Sequence, residues 1–434
     1  MPDCSDIGPF FLVIKVTLRV YFTYNPKRAM TRLATYAITF RKIETTTAQT
    51  ASKEPYVMSL MHDAPANFAL PQAPAVTNFR LPGPTPVPPE VAAAGSWPMV
   101  NHRGPEFAAI ITRVTERLQH FFKTQNNVLV FPGSGSAGWE ASIANLFSAG
   151  DQVAIVSIGN FGDRFAIVAN AFGLQVEKID FAWGQAADPA VVAERIRGIK
   201  NLRGVFFTHN ETSTGVTNDI VALSKAIHEA APDALVVVDA VSSMGCVDAP
   251  TDELGIDVIF TGSQKGWMCP PGLMMVAVGP RAREASKTAT LPRFFFDFER
   301  AITSFAKNNP PYTAPISLWY QLDVALALMM QEGREAVFAR HQSLGEFTRQ
   351  GALKLGLTLF AEPAHASNTV TAINSPEGID AKAFLKTLRT EDHVIFAGGQ
   401  GKLEGKIFRV GHMGAAYQDD IAQALAAIER RMQG

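Results

Sequence analysis

The chain has 434 residues, 47% hydrophobic and 18% charged, enough to bury a sizeable core and to form more than one domain. Its formal net charge of -1 gives no electrostatic reason to expect a nucleic acid or a membrane surface as partner. Cys4, Cys246 and Cys269 are odd in number and lack a CxxC pair, which argues against a disulfide framework or a structural zinc site and for a reducing, cytoplasmic setting.

Residues 1–57 stand apart from the rest. PFFLVIKVTLRVYFTY is interrupted by Lys15 and Arg19, too early for a spanning helix, and its apolar run is too short for a signal peptide. Val16, Leu18, Val20, Phe22 and Tyr24 alternate with mostly polar neighbours, the period of a strand, and TTTAQTASKEP reads as linker or disordered chain. We expect an appended or mis-called N-terminus, with the true start at Met58 or Met61. A basic organelle-targeting peptide is the weaker alternative.

Strands and helices then alternate. EFAAIITRVTERLQHFF and NDIVALSKAIHEAA have helical spacing, while NVLVF, QVAIVS, LQVEKI, GVFFTH, ALVVVD, DVIFTG and LMMVAVG are apolar runs of strand length. That pattern predicts an α/β fold: a mainly parallel sheet covered by helices on both faces, with a ligand at the carboxyl ends of the strands. A smaller C-terminal α+β domain, residues 340–434, is expected to follow a large domain of residues 58–339. In it LTLFAE, SNTVTAIN, HVIFAG and KIFRVG read as short strands, and a helix near Asp420 to Arg431 presents Ile421, Leu425 and Ile428 on one face.

The chemistry centres on FTGSQKGWMCPPG, which holds Lys265, and on the strand LVVVD, which ends in Asp239. On its own a lysine is usually a surface residue and a strand-end Asp often a helix cap. Together they are the equipment of a pyridoxal 5'-phosphate enzyme: an amine that can form an imine with an aldehyde, and a carboxylate that keeps the pyridine nitrogen protonated. A salt-bridged Asp239 with a depressed pKa is the corollary. The phosphate needs an anion site, and VLVFPGSGSAGWEASIANLF offers one: a buried strand, a tight turn over Gly133 to Ser136, and a helix N-terminus. The same turn reads G-x-G-x-x-G from Gly133 through Gly135 to Gly138, a weak dinucleotide signal. The following strand ends in Ser157, Ile158 and Gly159, without the acid that would grip a ribose.

LPGPTPVPPEV, NHRGPEF, THNETSTGVTNDI, VVDAVSSMG, TGSQKG and FRVGHMG occur in an order that resembles a class V, fold-type I aminotransferase of the alanine-glyoxylate and serine-glyoxylate group. The resemblance begins near Phe79 and implies a role for each matching residue. Ser134, Gly135 and Ser136 match the phosphate-binding turn, and Gln264 matches a further phosphate contact. Phe161 matches the aromatic that stacks on the cofactor ring, with Gly159 and Gly162 expected to leave room for it. Thr212 matches the hydroxyl donor to the ring oxygen, Asp239 the partner of the pyridine nitrogen, and Lys265 the Schiff-base lysine. Tyr312 and Thr313, in PPYTAP, resemble a segment that reaches the cofactor phosphate of the neighbouring subunit, so a homodimer with shared active sites is implied. Arg409 matches the arginine that binds the substrate carboxylate; in the apolar run KIFRVGHM an unpaired guanidinium would be costly to bury, and a carboxylate gives it a bidentate partner. His412 is assigned no chemical role.

The implied reaction passes an amino group from a small amino acid to a keto acid, with neither nucleic acid nor membrane involved and no metal. HNETSTGVTNDI, FAWGQ, and RFFFDF followed by PPYTAP look closest to serine-glyoxylate members, which favours serine as donor, alanine as runner-up and glyoxylate as acceptor. A cysteine desulfurase would need a nucleophilic Cys on a C-terminal loop, yet the last is Cys269. A pyridoxamine-pyruvate aminotransferase carries Glu where this chain has Ser134.

Overall fold

A computed structural model describes residues 77–433; the expectations for residues 1–57 lie outside them. The seven apolar runs predicted as strands are β1 (Asn127–Gly133), β2 (Gln152–Ser157), β3 (Gln175–Asp180), β4 (Leu202–Thr208), β5 (Leu235–Asp239), β6 (Val258–Gly262) and β7 (Gly272–Val278). They form one seven-stranded sheet in the order β1-β7-β6-β5-β4-β2-β3. Only β7 runs against its neighbours, pairing antiparallel with both β1 and β6, so the carboxyl ends of all the other strands meet along one edge. β5 and β6 are buried at every position, and their uninterrupted Val, Ile and Phe suit a sheet with no wet face.

Alternate residues of these strands enter opposite layers, as the pleat requires. Val236, Val238 and Ile259 join a core completed by α1 (Pro105–Phe122) and by a helix over Ile316–Glu332, which contribute Phe107, Val114, Leu118, Trp319 and Leu322. Val237, Val258 and Phe260 face the other core, covered by α2 (Gly135–Leu146) and α3 (Asn160–Ala171) through Trp139, Ile143, Leu146 and Phe165. α2 lies unusually close to the sheet. A Cβ on Gly135 would sit 2.5 Å from Val241, and one on Gly138 would sit 2.2 Å from the Phe260 ring. Two of the three glycines in the G-x-G-x-x-G pattern are thus explained by helix-on-sheet packing.

A second sheet, three-stranded and antiparallel, runs β8 (Val370–Asn374), β10 (Ile407–Gly411), β9 (Ala397–Gly398). Two strand expectations need correction. LTLFAE makes only an isolated bridge, Leu359 to Ile373, because beyond it the chain turns toward Gly184 and Ala186: Glu362 donates its N–H to Gly184 O and accepts from Ala186 N. HVIFAG is split in two. Val394–Ile395 pairs with Asn78–Phe79, whereas Ala397–Gly398 is β9 on the second sheet. The terminal helix spans Gln418–Gln433 with Ile421, Leu425 and Ile428 buried as expected, and Arg340 falls inside a helix over Arg334–Lys354. No helix of the described residues is long and apolar enough to cross a membrane.

Candidate active site

A cavity of about 240 Å³ opens at the edge where the strand ends meet. Lys265 reaches it from the turn that follows β6. The backbone of that turn is held by an arm from far upstream: Thr85 donates its N–H to Gln264 O (3.1 Å) and its hydroxyl to Lys265 O (3.0 Å). The same arm meets the amine, whose Nζ donates to Pro82 O. Gly83 has φ 116, and a Cβ there would stand 2.5 Å from Nζ, so a side chain at this position would displace the lysine. With 9% of its surface exposed, Lys265 is costly to charge. Burial first, and the Arg409 charge second, bring its pKa down to about 8 against the opposing pull of Asp239.

Asp239 ends β5 and lines the same cavity. Its Oδ2 accepts from Trp139 Nε1 (2.8 Å) and its Oδ1 from Val241 N (2.9 Å). The expected salt bridge and depressed pKa do not hold for the chain's own groups. Among the described residues no cation lies within salt-bridge distance of it, and burial raises its pKa to about 6 despite the two donors and the Lys265 charge. The cation invoked by that expectation belongs to the cofactor ring, not to a side chain.

Ser134 is the N-cap of α2, yet its side chain makes no capping bond, and the first turn carries no acidic residue. Ser134, Gly135 and Ser136 line the cavity, so the helix presents amides, a dipole and hydroxyls to it. Gln264 lines it too, and its carboxamide oxygen is buried without a partner among the described residues; Thr208 Oγ1 is in the same position. The unspent Thr208 hydroxyl beside an anion-seeking helix end, with an amine and a buried carboxyl facing the same cavity, fits a phosphorylated pyridine aldehyde, and Gln264 would face its phosphate through the carboxamide Nε2 rather than the oxygen.

Phe161, on the first turn of α3, also lines the cavity. Its flanking Gly159 and Gly162, expected to leave room for a cofactor ring, do not serve that purpose. A Cβ on Gly159 would strike Glu211 at 2.4 Å and one on Gly162 would strike Ser157 at 2.8 Å, so these positions make room for protein atoms. Glu211 is fully buried; its carboxyl accepts from Phe161 N (3.0 Å), Gly162 N (3.2 Å), Ser213 N (3.1 Å) and Ser213 Oγ (2.6 Å). Burial raises its pKa to about 7. The sequence reading passed over it, although an acid set between Asn210 and Thr212 just past a strand end is itself a signal. Thr212 lines the cavity and donates its hydroxyl to Ser242 Oγ (2.7 Å), which Asn210 Nδ2 also reaches (2.8 Å). Trp139, Asn210 and Ser242 were likewise missed. Trp139 could have been found four residues after Gly135, on the same face of α2.

Arg409, in the middle strand β10, is 4% exposed. Its Nε and Nη2 both donate to Gly398 O (3.0 and 2.7 Å), and Nη1 donates to Thr212 O (3.0 Å) and Gln400 Oε1 (3.3 Å). The Thr212 contact ties it to the cavity wall. No described carboxylate is within salt-bridge distance of it; burial lowers its pKa to about 10, opposed by the Glu211 charge. Tyr312 and Thr313 are not brought to this cavity. They line a separate cleft with Pro132 and Trp319, where the Tyr312 hydroxyl donates to Phe294 O (2.5 Å) and its ring stacks on Phe295.

Residues 90–406 match the family model for aminotransferase class V. Among curated proteins, the chain is 42% identical over 353 residues to the small subunit of a soluble hydrogenase from Synechococcus sp., covering 81% of this chain and 91% of the relative. It is 39% identical to an L-aspartate-glyoxylate aminotransferase from Paracoccus denitrificans (81% and 90% covered) and 38% identical to a serine-glyoxylate aminotransferase from Hyphomicrobium methylovorum (80% and 88%). Among solved structures, the alanine-glyoxylate aminotransferase from Nostoc sp. superposes with a TM-score of 0.80 at 30% identity, over 84% of this chain and 97% of that one.

Proposed function

The chain belongs to the class V aminotransferases, enzymes of pyridoxal 5'-phosphate that act on small amino and keto acids, and from that premise we propose that it transfers the amino group of L-serine to glyoxylate, giving hydroxypyruvate and glycine. One observation carries the reading: Lys265, Asp239 and the N-terminus of α2 converge on a single cavity, with Arg409 hydrogen-bonded to its wall at Thr212.

When bound, the cofactor supplies a carbon that carries the amino group and a ring that draws electrons from it. Ser134, Gly135, Ser136 and Gln264 would hold its phosphate, Phe161 its ring face, Thr212 its ring oxygen and Asp239 its ring nitrogen. Trp139 and Val241 fix the Asp239 carboxyl from both oxygens; its pKa of about 6 in the cofactor-free chain already leaves it mostly ionised at neutral pH, and a protonated ring nitrogen beside it would favour the ionised form further. Arg409 fixes the substrate carboxylate through charge-assisted bonds. Lys265, with a pKa of about 8, has an appreciable neutral fraction near neutral pH; its Nζ takes the proton from the substrate's α-carbon and would deliver it to the cofactor carbon that carries the amino group, and moves it the opposite way when glyoxylate becomes glycine. The same groups then serve glyoxylate, whose carboxylate occupies Arg409 in turn.

Glyoxylate as acceptor is supported by the names of three relatives, and serine by the motif segments together with the Hyphomicrobium relative. Alanine and aspartate are the competing donors. A cysteine desulfurase is disfavoured because Cys246 and Cys269 are buried, which pushes the Cys246 thiol up to about 12 and that of Cys269 higher still; free buried thiols also suit a reducing, cytoplasmic setting. We further propose a homodimer in which Tyr312 and Thr313 complete the neighbour's phosphate site, and a division at residue 340 that gives Lys265 to the large domain and Arg409 to the small one.

The test is transamination by the holoenzyme of glyoxylate with serine, alanine or aspartate, reading hydroxypyruvate, pyruvate or oxaloacetate. Serine should exceed alanine in kcat/KM by roughly tenfold, since a site built around a substrate hydroxyl discriminates against its absence. Equal values make the enzyme a broad glyoxylate aminotransferase. Inactivity with glyoxylate overturns the proposed acceptor and leaves the family untouched.

A further inference from the structure

Hydrogen-bond accounting at Arg409 leaves its guanidinium one group short of what a carboxylate needs. Nε and one hydrogen of Nη2 converge on Gly398 O, while Nη1 gives both of its hydrogens, to Thr212 O and to Gln400 Oε1. A carboxylate bound fork to fork takes an N–H from each of Nη1 and Nη2. Nη2 has one to give and Nη1 has none, so an existing partner must yield. Thr212 O is backbone in the cavity wall, in the turn fastened by Glu211 and Ser213. Gln400 Oε1 is the end of a half-buried side chain and makes the longest of the four contacts.

The backbone beneath Gln400 is fixed, so displacement falls to the side chain. Gln400 precedes a short turn over Gly401–Leu403. Lys402 Nζ sits 4.9 Å above the Trp183 ring, and Leu403 is buried with Trp183, Phe360 and Ile407. A Cβ on Gly399 would collide with Leu403 O at 1.8 Å, which shows how tightly the segment folds on itself.

We propose that Gln400 is a substrate-binding residue: its carboxamide oxygen holds the place of the substrate carboxylate on Arg409, gives way when that carboxylate arrives, and the carboxamide then donates from Nε2 to it. The exchange replaces a long neutral contact with charge-assisted ones, and it operates on the amino-acid and keto-acid carboxylates alike. The inference rests on the aminotransferase reading only for the identity of the carboxylate.

Sodium glycolate, a carboxylate with neither amine nor carbonyl to react, isolates the binding step. In calorimetric titrations of the holoenzyme, Gln400→Glu should weaken glycolate by about thirtyfold or more, because its own carboxylate occupies Arg409. Gln400→Met, which keeps the bulk and loses the donor, should weaken it by roughly three- to tenfold. In turnover with glyoxylate both variants should raise KM more than they lower kcat. Glycolate binding within twofold of wild type in both variants, equal weakening by Glu and Met, or no saturable binding to the wild type overturns the proposal. A wild type that binds glycolate with the expected variant pattern yet transfers no amino group to glyoxylate refutes the proposed reaction and leaves the role of Gln400 intact.

Discussion

Asp239 carries opposite demands from function and from stability. Its pKa rises from 3.8 to about 6 on burial, so between those values the folded, cofactor-free protein holds a proton that the unfolded chain has released. The stability this contributes is complete below about pH 4 and is lost as pH rises to about 6. Asp239→Asn removes the titration. The unfolding free energy of the cofactor-free variant, relative to the parent, should therefore shift in the variant's favour by roughly 2 to 2.5 kcal/mol between pH 4 and pH 7, whatever constant offset the lost acceptor oxygen introduces. Urea titrations at a series of pH values measure this, and a difference that stays flat would refute it. In the holoenzyme the same substitution should cut turnover by about tenfold or more, since Asp239 is the only carboxyl among the described residues that line the cavity.

At the scale of elements, the start of α2 separates cofactor affinity from folding. An N-cap serine is ordinarily worth about 1 kcal/mol through its side-chain bond, but Ser134 makes none. Ser134→Ala should leave the stability of the cofactor-free protein within about 0.5 kcal/mol of the parent while weakening pyridoxal phosphate about tenfold, by fluorescence titration. The strands that build this site were legible because continuous apolar runs of strand length, bounded by turns, leave little else for them to be. LTLFAE satisfied the same rule and failed, since it meets β8 only around Leu359 before Glu362 leaves for Gly184, a partner outside any local pattern. Lys265 and Asp239 were legible for the specificity of their surroundings. Gln400 was not, because its partner Arg409 is met only once β9 and β10 pair; Glu211 and Trp139 left local signals, a strand-end acid and a helix-face position, but the partners that give them meaning, Phe161 and Asp239, lie 50 and 100 residues away. Gly159 and Gly162 show the converse, residues correctly singled out for a wrong physical reason.

At the scale of the whole molecule, the distance of Tyr312 and Thr313 from the chain's own cavity becomes testable through mixing. Lys265→Ala alone and Tyr312→Ala, Thr313→Ala together should each be nearly inactive. If sites are shared across a two-fold axis, subunits refolded together give mixed dimers with one intact site, and activity should recover to roughly a quarter of wild type. No recovery, in a mixture shown by mass spectrometry to contain mixed dimers, would place both residues outside the neighbour's site. The clasp of Thr85 on Lys265 also has a bearing on time. It joins positions 180 residues apart, so a ribosome working at about 5–20 residues per second makes the arm roughly 9 to 36 s before the turn that it must hold. Arg409 comes later again, 197 residues after the Thr212 carbonyl that receives it. A nascent chain can build the seven-stranded sheet long before it owns a complete place for substrate, and a chain released early, short of β10, would hold the reactive lysine with nothing to select what reaches it.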